Sequence, residues 1–223
     1  MNWWGIIVSF AYVFLFIGIA QWLLGVGAIS PPVARKIVHI GVAHWWIIAI
    51  VFFNRWEFAI AVPAAFIVIN LASYVLRLLP AIEHTERRRN LGTVYFPVAL
   101  LVCVLATWSG PIPIWMGGAG ILVLGWGDGL ASLVGETRTT GIIRVFGHRK
   151  SVGGSLTMLA ASTVVLLAFL ALYATPGEGL LAGSILLTAV VVAAIATFVE
   201  LVTPYGLDNL TVPVVAMLVL FTA

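Results

Sequence analysis

Asp128 and Asp208 are the only aspartates in the 223-residue chain, and both stand beside long apolar runs. Asp128 lies in the segment GWGDGLASLVGE, where one apolar run ends. A carboxylate next to membrane hydrocarbon is costly unless it is paired, hydrated or bound to a metal ion. Asp128 is therefore a candidate functional residue. The neighbouring Gly125 and Gly129 have the spacing that lets two helices pack closely, so packing alone accounts for the glycines but not for the carboxylate.

A second polar segment, GHRKSVGGSL, follows Asp128 by about twenty residues and leads directly into the next apolar run. Its candidate phosphate-binding residues are Lys150, Ser151, Gly153, Gly154 and Ser155. Free backbone amides at a helix start, with a lysine beside them and glycines that let a phosphate approach, form an anion site. The alternative is an ordinary helix N-cap formed by Ser151 or Ser155. Together with Asp128, the segment suggests bound phosphate and Mg²⁺.

A basic segment, ARKIVHIG, opens another apolar run. Arg35 and His39 are four residues apart and would share one face of a helix. A lone histidine is usually structural, but with Arg35 and Lys36 beside it His39 is a candidate for phosphate contact.

The segment VELVTPYGLDNLTVPV carries the last group of polar side chains. Glu200 stands at the end of an apolar run, where a carboxylate needs a partner or a function. Asp208 and Asn209 either join the same site or cap the helix that follows. In LGTVYFPVAL, Pro97 is expected to shape its helix and not to bind a ligand.

The composition defines the structure that must position these groups. Hydrophobic residues make up 62% of the chain and charged residues 9%, with a mean hydropathy of +1.16. Soluble domains are about 45–50% apolar and about 25% charged. A soluble globular domain and a disordered chain are therefore excluded, and the single cysteine, Cys103, excludes a disulfide scaffold.

Seven apolar runs are long enough to cross a membrane, since a helical span needs roughly 17–25 residues. The predicted spans are Trp3–Gly25, Ile37–Phe53, Phe58–Leu79, Val94–Trp108, Ile114–Val134, Ser155–Tyr173 and Gly179–Leu201. Leu210–Ala223 is a short eighth candidate. None alternates with a period of two, so we predict an all-α polytopic transmembrane bundle of seven or eight spans, forming one domain over 1–223. Trp3–Gly25 has no basic segment before it and is expected to be a span and not a signal peptide.

Basic residues are strongly asymmetric between the two sides of this bundle. The side reached after spans one, three and five holds Arg35, Lys36, Arg77, Arg87, Arg88, Arg89, Arg138, Arg144, Arg149 and Lys150. The opposite side holds Arg55 alone. Because positive charge favours the cytoplasmic side, we expect a multi-pass cell-membrane protein whose candidate site faces the cytoplasm.

Taken in order, these blocks resemble the membrane-bound polyprenol kinase family, which includes phytol kinase, dolichol kinase and the CTP-dependent diacylglycerol kinase. The matching blocks are RKIVH (35–39), GTVYFP (92–97), GDGLASLVG (127–135), KSVGGS (150–155) and VE (199–200) followed by LDNLTVP (207–213). The small size and the last block are most similar to the phytol kinase branch.

The resemblance implies transfer of the terminal phosphate of CTP, or of another nucleoside triphosphate, to an isoprenoid alcohol such as phytol, geranylgeraniol or farnesol. The implied catalytic residues are Asp128, Lys150, His39 and Asp208, and the implied Mg²⁺ ligands are Asp128, Glu200 and Asp208. The implied phosphate-binding residues are Arg35, Lys36, Gly127, Lys150, Ser151, Gly153, Gly154, Ser155 and Asn209. Either His39 or Asp208 would accept the hydroxyl proton. The implied partners are the lipid alcohol, the nucleotide and membrane lipids, without nucleic acid.

Other functions remain as alternatives. Phosphatidate cytidylyltransferase, in the wider superfamily, typically has a glutamate where this chain has Gly153, which favours a kinase. A diacylglycerol kinase is possible within the family itself. A small transporter would instead place charged groups near the middle of the membrane, with access from both faces.

Overall fold

The computed structural model describes residues 1–76, 91–137, 141–145, 148–174 and 184–223, and most of them are helical. Within these ranges, seven helical stretches are long and apolar enough to cross a membrane. The predicted all-helical bundle is therefore confirmed, and the chain fits a multi-pass membrane protein. Several sequence predictions fall outside the described residues: Leu79, Gly179, Arg77, Arg87, Arg88, Arg89 and Arg138.

The helices run in the order α1 (Asn2–Gly25), α2 (Pro31–Ala43), α3 (Trp45–Phe52), α4 (Trp56–Ala59), α5 (Ala61–Leu76), α6 (Gly92–Trp108), α7 (Ile114–Leu122), a π-helix (Val123–Asp128), α8 (Gly129–Thr137), α9 (Val152–Tyr173), α10 (Ile185–Val202) and α11 (Asp208–Thr222). Three spans are composite: α2 with α3, α4 with α5, and α7 with the π-helix and α8. The last helix, α11, has 15 residues and is the short eighth helix predicted from the sequence.

The second span begins earlier than the sequence predicted. Helix α2 starts at Pro31 and not at Ile37. Proline suits the first turn of a helix, because its fixed φ matches the helix and its missing N–H would have no partner there. This earlier start places all three polar residues within the helix, Arg35 and Lys36 on its second turn and His39 on its third.

A β-hairpin between α8 and α9 was not predicted. Strand β1 (Ile142–Val145) pairs antiparallel with β2 (His148–Ser151), with Ile142 opposite Ser151. Ser151 ends β2 and caps α9, so the hairpin leads directly into that helix. It therefore brings Arg149 and Lys150 to the end of the bundle where α9 begins.

The composite span Ile114–Gly135 forms the centre of the bundle. In this span 72% of the most apolar window is buried, against 22–44% in the other six. The outer helices expose large apolar side chains such as Val68, Val164 and Phe198. Such exposure suits a lipid environment, where the outer surface of a bundle is apolar.

Candidate active site

Glycines bring the central span against α2. A Cβ atom on Gly125 would lie 2.4 Å from the Cβ of Ala43, and one on Gly129 would lie 2.6 Å from Cγ1 of Ile40. Both contacts are too short for any larger residue, so the predicted role of these two glycines in helix packing is confirmed. The close approach brings Asp128, between them, next to the polar start of α2.

The backbone around Asp128 is itself unusual. Val123–Asp128 forms a π-helix, a rare element that occurs frequently at functional sites. Trp126 Nε1 donates to His44 Nε2 at 3.2 Å, and His44 Nδ1 lies 2.8 Å from the carbonyl oxygen of Ile40. These bonds attach the π-helix to the junction of α2 and α3, so they fix the segment that ends at Asp128.

Three carboxylates converge at one end of the bundle. Asp128, Glu200 and Asp208 are buried, with 4%, 5% and 9% of their surfaces exposed, and one oxygen of each lies within 4.8 Å of the others. They come from the central span, the end of α10 and the start of α11. Carboxylate oxygens are the ligands that Mg²⁺ and Ca²⁺ prefer, so this group can hold a divalent cation.

Two lysines form ion pairs with these three carboxylates, and neither pairing was predicted. Lys36 Nζ lies 2.7 Å from Oδ2 of Asp128. Lys150 Nζ donates to Glu200 and lies 3.4 Å from Oδ2 of Asp208. Burial by itself would lower the pKa of the Lys150 ammonium, but the neighbouring negative charges outweigh it and raise the pKa above its ordinary value. The carboxylates therefore favour the charged form of Lys150.

His39 lies on the next turn of α2 after Lys36. Its Nε2 atom is 3.7 Å from Oδ2 of Asp128, and its ring centroid is 4.9 Å from that of Phe96. Ser132 Oγ lies 3.4 Å from the second carboxylate oxygen of Asp128, Oδ1. His39 thus stands between the carboxylates and the apolar side chains of α6.

The start of α9 departs in part from the predicted phosphate site. Ser151 is the helix N-cap, and its Oγ accepts a hydrogen bond from the Gly154 amide at 3.0 Å. The Val152 amide donates to the carbonyl of Gly141 at 2.9 Å. The predicted phosphate-binding amide of Gly154 therefore already has an acceptor, as does the neighbouring Val152 amide. Ser155 Oγ, by contrast, is buried without a hydrogen-bond partner among the described residues.

All of these groups open into one cavity of about 760 Å³. Its polar end is lined by Arg35, Lys36, His39, Asp128, Ser132, Arg149, Lys150, Ser151, Ser155, Glu200, Asp208 and Asn209. Its apolar end is lined by Val13, Ile17, Val38, Val42, Trp45, Val62, Pro63, Phe66, Phe96, Pro97 and Leu100. The cavity thus joins a charged compartment to a hydrocarbon-like one.

Two predicted phosphate-binding residues, Gly127 and Gly153, are not among the lining residues. A Cβ atom on Gly127 would lie 2.5 Å from Ser162 Oγ and 2.6 Å from Met158 Sδ of α9. Gly127 therefore lets the central span pack against α9.

The apolar end closes part of the way through the bundle. Between Lys36 and Trp45 the chain advances nine residues along α2 and α3, or about 14 Å. Between Asn70 and Val62 it advances eight residues along α5, or about 12 Å. The second span continues for seven residues beyond Trp45, to Phe52, so the cavity lining ends short of the far end of the bundle. Tryptophan rings lie beyond this point, with the centroids of Trp46 and Trp108 5.3 Å apart.

Several lining residues were not predicted from the sequence. They are Asn70 on α5, Thr93 on α6, Ile142 and Arg149 on the hairpin, and Thr203 and Tyr205 before α11. Tyr205 adopts a left-handed backbone with φ of 61°, which is uncommon for a residue with a side chain and occurs at functional sites. Arg149, Thr93, Thr203 and Tyr205 lie in segments that the sequence singles out, whereas Asn70 and Ile142 lie in none of them.

No family model matches the chain, and no solved structure matches it. The chain is 38% identical to a phytol kinase from Synechocystis sp. over 199 residues, which is 86% of this chain and 80% of that protein. The similarity thus spans most of both proteins. It confirms the predicted alcohol kinase as the class of enzyme. The chain belongs to the polyprenol kinase family, within its phytol kinase branch.

Proposed function

We propose that this protein transfers the terminal phosphate of CTP, or of another nucleoside triphosphate, to an isoprenoid alcohol of the phytol type. The observation that carries the proposal is the single cavity with a charged end and an apolar end. A polyprenol needs both, because its tail is a hydrocarbon and its hydroxyl must meet a nucleotide. The phytol kinase to which the chain is similar supports the same substrate class.

The charged end suits a nucleotide with Mg²⁺. Four basic side chains and three buried carboxylates line it, so it can accept a polyanion together with a divalent cation. Asp128, Glu200 and Asp208 would hold the Mg²⁺, which when bound neutralises charge on the phosphate groups. The Lys36 and Lys150 ammonium groups line the same cavity and can donate to phosphate oxygens. Phosphoryl transfer gains most from such positioning and charge neutralisation.

His39 is the better placed of the two proposed proton acceptors. It lies at the boundary between the carboxylates and the apolar lining, against Phe96. A hydroxyl at the end of a tail in the apolar compartment would reach this level. Asp208 is already engaged, because its Oδ2 faces Lys150 and its Oδ1 accepts from the Asn209 amide at 3.1 Å. We therefore assign His39 as the residue that accepts the proton of the substrate hydroxyl.

The whole chain, 1–223, would form one integral-membrane kinase domain. The charged end would face the cytoplasm, where nucleotides are available and where the basic residues favour it. The alcohol would enter from the membrane, with its tail between α1, α2, α5 and α6. A transporter would require a path to the opposite face, whereas the cavity in the described part of the chain ends at buried aromatic rings.

The test is a phosphate-transfer screen with the purified protein in detergent. Radiolabelled CTP, UTP, ATP and GTP are each combined with phytol, geranylgeraniol, farnesol, dolichol and diacylglycerol in the presence of Mg²⁺. We expect labelled phosphate on an isoprenoid alcohol and its loss on chelation of the metal. Preferred labelling of diacylglycerol would instead identify the protein as a diacylglycerol kinase. Absence of transfer to every acceptor would contradict the proposal.

A further inference from the structure

We propose that Trp45 is the floor of the tail compartment and sets the length of isoprenoid tail that the enzyme prefers. The inference rests on the proposed function, since it assigns the apolar end of the cavity to the tail of the alcohol. It adds a specificity-determining residue, on α3, that belongs to none of the sequence blocks discussed above.

The cavity lining ends part of the way along four helices. On each helix the lining residue farthest from the charged end is Val13 on α1, Trp45 on α3, Val62 on α5 and Leu100 on α6. Of these four side chains, only Trp45 is aromatic, and its indole is the bulkiest. A polyprenol tail about 12–14 Å below the charged end would therefore meet the indole ring.

Trp45 is held firmly in this position. Its Nε1 atom donates to Ser9 Oγ on α1 at 2.8 Å, and the Ser9 side chain is fully buried. Its ring centroid lies 6.3 Å from that of Phe53 and 6.5 Å from that of Trp46. A buried indole with a satisfied N–H and aromatic neighbours behind it has little freedom to move aside. The ring can therefore act as a fixed limit and not as a flexible lid.

The neighbouring Trp46 provides a matched control. Both indoles are buried, with 1% and 0% of their surfaces exposed, and both N–H groups are bonded, that of Trp46 to the carbonyl of Ile114 at 3.1 Å. Trp46 faces the central span, where it contacts Gly117 and Gly118, and it does not line the cavity. Substitution of either tryptophan should perturb packing, but only Trp45 should change the choice of alcohol.

Two substitutions should shift selectivity in opposite directions. Trp45→Leu deepens the tail compartment, so kcat/KM for geranylgeraniol relative to farnesol should rise about tenfold, the effect of burying roughly two more methylene groups. Val42→Phe adds a ring to the cavity wall one turn nearer the charged end, so the same ratio should fall. Trp46→Leu should leave the ratio within about twofold of wild type, whatever it does to thermal stability.

The measurement is the kcat/KM of each variant for geraniol, farnesol, geranylgeraniol and phytol, with folding checked by thermal unfolding. If Trp45→Leu fails to fold, Trp45→Phe and Val42→Phe carry the test. Equal ratios in wild type, the Trp45 variants and Val42→Phe would overturn the inference and leave the proposed function standing. A wild-type protein that phosphorylates none of these alcohols would instead overturn the proposed function.

Discussion

Replacement of Lys150 by methionine should destabilise the protein because it removes the cation shared by two buried carboxylates. Lys150 Nζ pairs with both Glu200 and Asp208. Methionine retains the apolar length of the side chain without its charge. The variant therefore leaves two neighbouring carboxylates in a buried site without the counter-ion that they share.

The size of the effect follows from the burial of the group. Removing one partner of a buried ion pair typically lowers the free energy of unfolding by about 3–5 kcal/mol. The Lys150 side chain is 21% exposed, so partial hydration places the expected loss near the lower limit, at about 3 kcal/mol. For a chain of this size, such a loss lowers the unfolding temperature by roughly 6–12 °C. Adding Glu200→Gln removes one uncompensated charge and should restore most of that difference.

The assay is thermal unfolding in detergent, with Arg149→Met as the control. Arg149 is exposed on the same strand and forms no ion pair with any carboxylate in the described part of the chain, so its substitution should change stability by less than about 0.5 kcal/mol. Because the pKa of Lys150 is raised, its stabilisation is complete below the ordinary lysine value and is lost only as the pH rises through the higher folded-state value. The difference from wild type should therefore be constant from neutral to mildly alkaline pH. A Lys150→Met protein as stable as wild type, or a double variant no more stable than the single one, would refute this account.

Two further predictions concern packing and topology. Gly127→Ala should lower stability by about 1–3 kcal/mol in thermal unfolding, since its Cβ would meet Ser162 and Met158; unchanged stability would contradict the packing role. In a Cys103→Ala background, an impermeant thiol reagent on intact cells should label Arg55→Cys and spare Arg144→Cys, because Arg144 belongs to the basic side. The reverse labelling would show that the site faces away from the cytoplasm.

The helical spans could be predicted because lipid imposes a simple rule on sequence. A segment that crosses hydrocarbon must be apolar over its whole length, and its backbone must be satisfied internally. The convergence of Asp128, Glu200 and Asp208 was also predictable, since each stands where a span ends on the same side. The ion pair between Lys36 and Asp128 could not be predicted, because the two residues are 92 positions apart and no local sequence pattern connects them.

The irregular elements had weaker signals. Each hairpin strand is only four residues long, and β2 has the wholly polar sequence HRKS, so the sequence predicts a basic loop there. The π-helix depends on a shift in backbone hydrogen bonding that residue types do not specify. From sequence alone, Ser151 could be a helix cap or a phosphate ligand. The hydrogen bond from the Gly154 amide to Ser151 Oγ shows that it is the cap.

The most direct test of the central claim compares phosphate transfer by wild type and Asp128→Asn, with Glu57→Gln as the control. Asp128→Asn preserves the shape of the side chain but removes one negative charge from the cluster of three carboxylates. Glu57 is an exposed carboxylate that pairs with Arg55, outside this cluster. We predict that wild type and Glu57→Gln label an isoprenoid alcohol at similar rates. Asp128→Asn should lose more than about 100-fold, which corresponds to roughly 2.7 kcal/mol of transition-state stabilisation. An Asp128→Asn protein that is folded and retains more than about a tenth of wild-type turnover would contradict the assignment of this site.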